Sequence, residues 1–341
     1  MSDRAPPDAL NTIIANLQID REHKELKWLV SEGIMSEFDR IVETLKMCGN
    51  MLLYNSPEHP DPAQRIERGP PIKLPMTLLK LEAVKGIIVR DGVYVTQLNV
   101  NLKEAHFNRH IYRINLDQPF LLQQVITAKE AIDAAILLIS NFNADQNHLD
   151  IVKLFENILK EILAARLALQ LQTDPLLIFP LHKVQTSLFR PELPHNLALD
   201  LYINQSEVCL DLKNLHHVTE EPWCLVDSVS GKLYVDQVRD EMRQGVLILQ
   251  ASEHEPDVNA HTGTPASAFA ALGNFLRPKI EPLEYIAKCV TYDGAVVMVN
   301  RKLEVLTADP LLVSTCSKLN SLESIVESFL HNLRVVSSHN D

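Results

Sequence analysis

Near the start of the chain Ile34, Phe38, Ile41, Leu45, Cys48 and Leu52 recur at intervals of four and three, and near its end Leu319, Leu322, Val326, Phe329 and Leu333 do the same. Such intervals place side chains on one narrow, leucine-zipper-like seam of an α-helix. A seam that narrow buries well only against another helix. The spacing therefore predicts that the first and last helices pack together and that the chain closes on itself, an architecture suited to a scaffold or assembly protein.

Two further seams lie between them. Leu121, Val125, Ala128, Ile132, Ala135, Ile139 and Phe142 repeat in the same way, after a helix start expected at Asp117 to Pro119, where a capping carboxylate precedes a proline. Ile151, Leu154, Ile158, Ile162, Ala165 and Leu169 mark a third helix, expected over about His148 to Leu171. The short link between these two makes them antiparallel neighbours. The first helix, from about Asp20 to Leu53, spans roughly 50 Å at 1.5 Å per residue. Asp309-Pro310 opens the last one.

The remaining pattern is β. Val84 to Val89 and Val93 to Lys103 flank Asp91-Gly92, a hairpin turn, and Leu98, Val100 and Leu102 alternate with polar neighbours. A short third strand is expected near His110 to Asn115. A second hairpin alternates apolar residues over Leu197 to Ile203 and Val208 to Leu212 about a turn at Asn204-Gln205. A third runs Tyr285 to Tyr292, Asp293-Gly294 and Ala295 to Leu306, and within 224–250 short strand-like runs are expected around Ser230-Gly231 and near Val246 to Leu249. The predicted fold class is thus α+β: an antiparallel helical bundle from 20–54, 118–172 and 309–336, plus a mostly antiparallel β domain from 76–117 and 176–307. Residues 1–19, the proline-rich 55–75 and 251–282 are expected to be loose, the last with one helical turn at Ser267 to Leu272.

With 341 residues and 46% hydrophobic content the chain can bury a large core. A net charge of −12, with no run of Lys and Arg among aromatics, argues against nucleic acid. No stretch of about 18 apolar residues could span a bilayer, so a membrane enters only through a partner. The five cysteines Cys48, Cys209, Cys224, Cys289 and Cys316 are widely spaced and form no CxxC pair, which reads as reduced residues of a cytosolic protein.

Catalytic patterns are missing. There is neither GxGxxG nor GxxxxGK, and neither GxSxG nor HExxH. Glu37, Asp39 and Glu43 fall on the polar face of the first helix beside Arg40 and Lys46, a solvated face. His216-His217 on an extended segment point opposite ways, which suits no metal site. Asn204-Gln205-Ser206 matches a glycosylation sequon but reads as a turn. Trp28 has two readings, a buried anchor of the bundle or an anchor on an exposed surface for a partner. No catalytic, cofactor-binding or metal-ligating residue is assigned.

The order of several segments resembles the Rogdi family, whose fungal members are the small subunit of the RAVE complex, a regulator of the vacuolar and endosomal ATPase. The segments are Trp28-Leu29-Val30, Val84-Lys85-Gly86, Asn99-Val100-Asn101-Leu102-Lys103, Leu122-Gln123-Gln124-Val125, Leu201-Tyr202-Ile203-Asn204 and Val208-Cys209-Leu210. The linker at 55–76 and an insertion at about 220–282 depart from the shorter animal members. The resemblance implies a helical bundle joined to a β domain, no enzymatic activity and no cofactor. It also implies a large β-propeller partner of the RAVE or rabconnectin type, and contact with the peripheral sector of the V-type proton ATPase. A cytoplasmic location, with recruitment to vacuolar or endosomal membranes, goes with that role. The rival reading is a hydrolase or transferase with an unfamiliar site in the β domain.

Overall fold

In the computed structural model, which describes residues 16–17, 20–21, 24–77, 83–103, 112–142, 148–227, 231–244 and 282–337, the fold is α+β. Residues 24–28 are helical and pass through a π-helical turn, Leu29–Ile34, into α1, Met35–Tyr54. The helix changes character at that turn: Lys24, Glu25, Lys27 and Trp28 are exposed, whereas Val30 and Ile34 are buried. α1 ends on Asn55, left-handed at φ 55°, a conformation that Asn tolerates at a helix end.

The proline-rich stretch is not loose throughout, which corrects the expectation for 55–75. Ile72–Thr77 forms β1, and Asp61 and Ile66 make an isolated antiparallel bridge. Pro75 is tolerated because β1 is an edge strand, where a missing N–H breaks no inner ladder. β2 (Val84–Asp91) and β3 (Tyr94–Leu102) follow. Their turn is Gly92-Val93, one residue later than expected, with φ 61° at Gly92; glycine first in a two-residue loop suits a primed turn. β4 (Tyr112–Asn115) and β5 (Phe120–Leu121) complete the first sheet, ordered β1-β2-β3-β4 with β5 also on β3.

β5 explains a second correction. α2 begins at Gln123, not at Asp117 to Pro119, because Phe120 and Leu121 pair with Val95 and Tyr94 and the Leu122 N–H donates to the Val93 carbonyl. Tertiary pairing overrides the local start signal. α2 runs Gln123–Ser140 and α3 His148–Gln170.

The second sheet is ordered β6-β7-β9-β8, from β6 (Leu197–Asn204), β7 (Glu207–His217), β8 (Cys289–Tyr292) and β9 (Ala295–Ala308), all antiparallel. Its turns have positive φ at Gln205 and Ser206 and at Asp293 and Gly294. The former again sits one residue past the expected position, and its N–H groups cap the carbonyls of Gln170 and Leu169 at the end of α3.

A helix replaces one expected strand run: Pro282–Lys288 is α5, so β8 starts at Cys289 rather than Tyr285. Tyr234–Arg243 is α4, between the strand-like runs expected around Ser230-Gly231 and near Val246 to Leu249, the second of which lies outside the described residues. Arg239 of α4 donates to the carbonyls of Ile286 and Cys289, and Tyr285 stacks on Trp223 at 5.1 Å. These long-range contacts stabilise helix where local composition favours strand. Val226–Leu233 keeps only an isolated bridge. Of the expected loose residues 1–19 and 251–282, residues 16–17 are helical and Pro282 opens α5, which corrects the expectation at those points; the others, with the helical turn at Ser267 to Leu272, lie outside the described residues. α6, Pro310–Ser337, ends the described chain.

The largest buried cluster runs from α1, α2, α3 and α6 into the inner faces of both sheets, through Leu74, Ile88, Val100, Leu201, Leu210 and Leu303 among others. The sheets meet where the Thr307 hydroxyl donates to the Pro75 carbonyl at 2.6 Å. A smaller cluster around Val235, Tyr285 and Met298 lies beneath α4 and α5.

Candidate functional site

Every expected seam residue of α1 and α6 faces the helix layer. Ile34, Ile41, Leu45, Cys48 and Leu52 are buried, as are Leu319, Leu322, Val326 and Leu333; Phe38 and Phe329 are half-buried against the same core. α1 packs on α2 and α6, and α3 on α2 and α6. Phe155 of α3 lies 6.1 Å from Phe38 and 6.3 Å from Phe329 between ring centres, while Phe142 lies 5.0 Å from Phe38. The Phe38–Phe142 and Phe155–Phe329 pairs are edge-on and the Phe38–Phe155 pair tilted, and such ring pairs add to simple burial. They join the start of α1 to the end of α6, so the two helices run antiparallel.

The opposite end of that pair is held by charge. Arg90 on β2 donates from Nε to Asp309 Oδ2 at 2.5 Å and from Nη2 to Asp309 Oδ1 at 3.2 Å, and both side chains are 0% exposed. Asp309 also caps α6, its Oδ1 accepting the Leu311 and Leu312 N–H groups. Arg90 Nη1 donates to the Gly92 carbonyl at 2.7 Å. Asn55 at the end of α1 accepts the Gly92 N–H and donates to Asp91. Gly92 has no room for a side chain: a Cβ would sit 2.5 Å from the Leu53 carbonyl oxygen. One joint thus locks the end of α1, the first hairpin and the start of α6. The capping role of Asp309 is readable from Asp-Pro; its partner 219 positions away has no local signal.

A second polar cluster lies on the face of the second sheet turned away from the helices. Cross-strand register sets Asp200 opposite Asp211 and Asp211 opposite Glu304, three carboxyls in a row. Like charges directly opposite are unfavourable. Lys213 offsets them from within, bonding Asp211 at 2.7 Å and Asp200 at 3.0 Å, and Lys302 bonds Glu304 at 3.0 Å. Burial raises the Asp211 carboxyl above its ordinary range despite Lys213. Burial also acts on Glu304, but the Lys302 ammonium, with bonds from Cys209 and Tyr202, brings it below that range. Asp211 Oδ1 and His182 Nδ1 have no hydrogen-bond partner. Burial pushes the thiols of Cys48 and Cys209 up to about 12 and that of Cys289 to about 11, where they are protonated and weakly nucleophilic at neutral pH. His216 is exposed and His217 half-buried beside His195. Among the described residues no group of three or more His, Cys, Asp or Glu could hold a metal ion.

Trp28 is 66% exposed, which corrects its reading as a buried anchor. With Leu17, also exposed, it bounds a shallow groove of about 420 Å³ along one helix face, rimmed by the pairs Arg21–Glu25 and Lys24–Asp20. A groove of about 440 Å³ between α3 and α6 is lined by Leu159, Leu163, Leu167 and Leu330 and bridged by Arg334–Glu156. Among the described residues no helix is long and apolar enough to cross a membrane.

The sequence model for Rogdi leucine zipper containing protein matches residues 25–334. The chain belongs to the Rogdi family. It is 28% identical over 334 residues to the Regulator of V-ATPase in vacuolar membrane protein 2 of Saccharomyces cerevisiae, covering 91% of this chain and 90% of that one. It is 24% identical over 199 residues to the Protein rogdi homolog of Rattus norvegicus, covering 57% and 67%, and 29% identical over 143 residues to that of Homo sapiens, covering 40% and 48%. These relatives are named as regulator or homolog, not as enzymes. In this Rogdi-family chain the segments that carry the resemblance, Trp28-Leu29-Val30 apart, meet in space. Val84-Lys85-Gly86 pairs with Val100 to Leu102, and a Cβ on Gly86 would fall 2.1 Å from the Asn99 carbonyl oxygen. Leu201 to Ile203 pairs with Val208 to Leu210. Gln124, at the start of α2, accepts the Ile203 N–H at 2.6 Å and donates to the carbonyls of Ile203 and Ala168, closing the edge of β6 as a neighbouring strand would. The resemblance is carried by joints of the fold.

Proposed function

We propose that this chain is a non-enzymatic subunit of a RAVE- or rabconnectin-like complex, promoting assembly of the V-type proton ATPase sectors through protein-protein contacts. The observation that carries this reading is similarity along nine-tenths of both chains to a protein named as a regulator of V-ATPase in the vacuolar membrane. The partners are a large β-propeller subunit and subunits of the ATPase peripheral sector. The chain works in the cytoplasm and reaches vacuolar or endosomal membranes through them. The helical unit of 20–54, 118–172 and 309–336 sets the spacing of the assembly, and the β unit of 76–117 and 176–307 supplies faces for docking. Trp28 anchors one partner from its exposed helix face, since a bare indole beside a pliable charged rim is the chemistry of an interface hot spot.

Affinity purification of the tagged full chain, with quantitative mass spectrometry, tests the proposal. The expected result is enrichment of a β-propeller subunit together with peripheral-sector subunits, with the propeller subunit reduced at least tenfold by Trp28→Ala. Recovery of neither kind of subunit refutes the assembly role, and unchanged recovery in Trp28→Ala refutes the anchor.

A further inference from the structure

The outer face of the first sheet carries a charge opposite to that of the chain. Its outward positions, read from the register, form three rows: Lys73–Val89–Gln97, Pro75–Ile87–Asn99–Asn115 and Thr77–Lys85–Asn101–Arg113, of which Val89 alone is buried. These eleven positions, three on each of β1, β2 and β3 and two on β4, hold three cations and no Asp or Glu, in a protein of net charge −12. Lys73, Lys85 and Arg113 are exposed, and none forms an ion pair with a carboxylate among the described residues. Lys103 adds a further exposed cation one outward step past β3. The nearby carboxylate Asp117 is already paired to Arg190.

The rest of the face is equally distinctive. Gln97 and Asn99 are exposed and Asn101 and Asn115 half-buried, each a carboxamide able to donate and accept. Ile87, in the middle row, is 51% exposed. A solvated sheet face commonly mixes charge signs; one with cations, carboxamides and a small apolar centre at Ile87 and Pro75 complements a surface of carboxylates and carbonyls.

We propose that this face docks a carboxylate-rich protein surface. A membrane is the weaker fit: lipid-binding patches gather about four to eight Lys and Arg with apolar insertion, whereas the only exposed apolar side chains at these outward positions are Ile87 and the short ring of Pro75. Nucleic acid is disfavoured by the absence of an aromatic stacking residue among the outward positions. From strand spacing of about 4.8 Å and same-face spacing of about 6.8 Å the face measures about 400 Å². That is about half of a standard partner footprint, so the contact is weak by itself, salt-sensitive, and orients a partner held elsewhere. The inference stands whether or not that partner belongs to the proton pump.

The test is fluorescence anisotropy of a labelled decaglutamate peptide titrated with the full-length protein at low salt and again near physiological salt. Wild type should bind at low salt and weaken as the Debye length shrinks to about 8 Å. The variant Lys73→Glu/Lys85→Glu/Arg113→Glu should bind at least tenfold more weakly with an unchanged melting curve. Lys27→Glu/Lys46→Glu/Lys153→Glu, at exposed cations elsewhere, should lose less than about twofold. If the first variant misfolds, Lys73→Gln and Lys85→Gln singly should each weaken binding about threefold. Absence of wild-type binding, or equal loss in both triple variants, overturns the proposal. So does capture by phosphatidylserine vesicles through these same cations with no binding of the peptide, which would make the ligand a membrane.

Discussion

Replacing Asp309 by serine should be among the most damaging single changes in this chain, and the damage should be reparable by a second change at Arg90. The two side chains are wholly enclosed, so Asp309→Ser leaves a buried guanidinium without its carboxylate. Removing one partner of a buried pair costs about 3–5 kcal/mol. Serine still accepts the N–H groups at the start of α6, so the capping contribution, worth about 1 kcal/mol, is largely kept; Asp309→Ala would lose that as well. Arg90→Met fills much of the same volume without charge, at the cost of one acceptor bond at the Gly92 carbonyl, about 1 kcal/mol. Arg90→Met/Asp309→Ser should therefore return to within about 2 kcal/mol of wild type, because two buried charges leave together. Urea unfolding followed by circular dichroism gives all three values, and because either single removal costs at least about 3 kcal/mol and the double about 2, the coupling energy should reach at least about 4 kcal/mol. Additive losses, or an Asp309→Ser variant within about 1 kcal/mol of wild type, would show that the pair is not the clasp described above.

The seam predicts that Ile41→Asp, a charge placed at a 1% exposed site between α1, α2 and α6, costs at least about 4 kcal/mol and broadens thermal unfolding; a wild-type melting curve would sink it. Asp211 holds its proton to higher pH folded than unfolded, so its contribution to stability is full below the ordinary aspartate range and is lost as pH rises through its folded value. Denaturation midpoints measured between pH 4 and pH 7 should accordingly show Asp211→Asn gaining on wild type as pH rises, and a constant difference would refute the direction. Iodoacetamide under native conditions should modify half-buried Cys224 well before Cys48, Cys209 and Cys289, whose thiols are enclosed and protonated. Peptide mapping showing early labelling of Cys48 would contradict the burial of the α1 seam.

Where a residue's surroundings are set by its near neighbours in sequence, the chain could be read directly. The intervals between Ile34 and Leu52 and between Leu319 and Leu333 state which side is apolar, and Asp-Gly and Asp-Pro state where backbones turn or start. What escaped was decided at long range. Pro75 looks like a breaker until β1 is known to be an edge strand. Tyr285 looks like strand until Trp223 and Arg239 hold its segment as helix. Phe120 and Leu121 look like the first turn of a helix until β3 takes them. Arg90 carries no local signal of its burial, since nothing in Val-Arg-Asp announces a carboxylate two hundred residues on. The cationic sheet face was hidden for a related reason: Lys73, Lys85 and Arg113 lie on three strands, and only the register makes them neighbours.

The same long-range joints bear on the adaptor role proposed for this Rogdi-family chain. A device that holds two large bodies at a fixed separation loses effective concentration at every soft hinge. Here α1 and α6 are tied at one end by four aromatic rings and at the other by an enclosed ion pair, and Gln124 stitches α2 to the edge of the second sheet. The helices and sheets share one core, so they are expected to unfold together rather than bend apart. Two ways of weakening the complex should then be separable. Asp309→Ser should reduce partner recovery in step with the folded fraction and recover with Arg90→Met, whereas charge reversal at Lys73, Lys85 and Arg113 should reduce it with the fold intact and only at salt low enough for those charges to be felt.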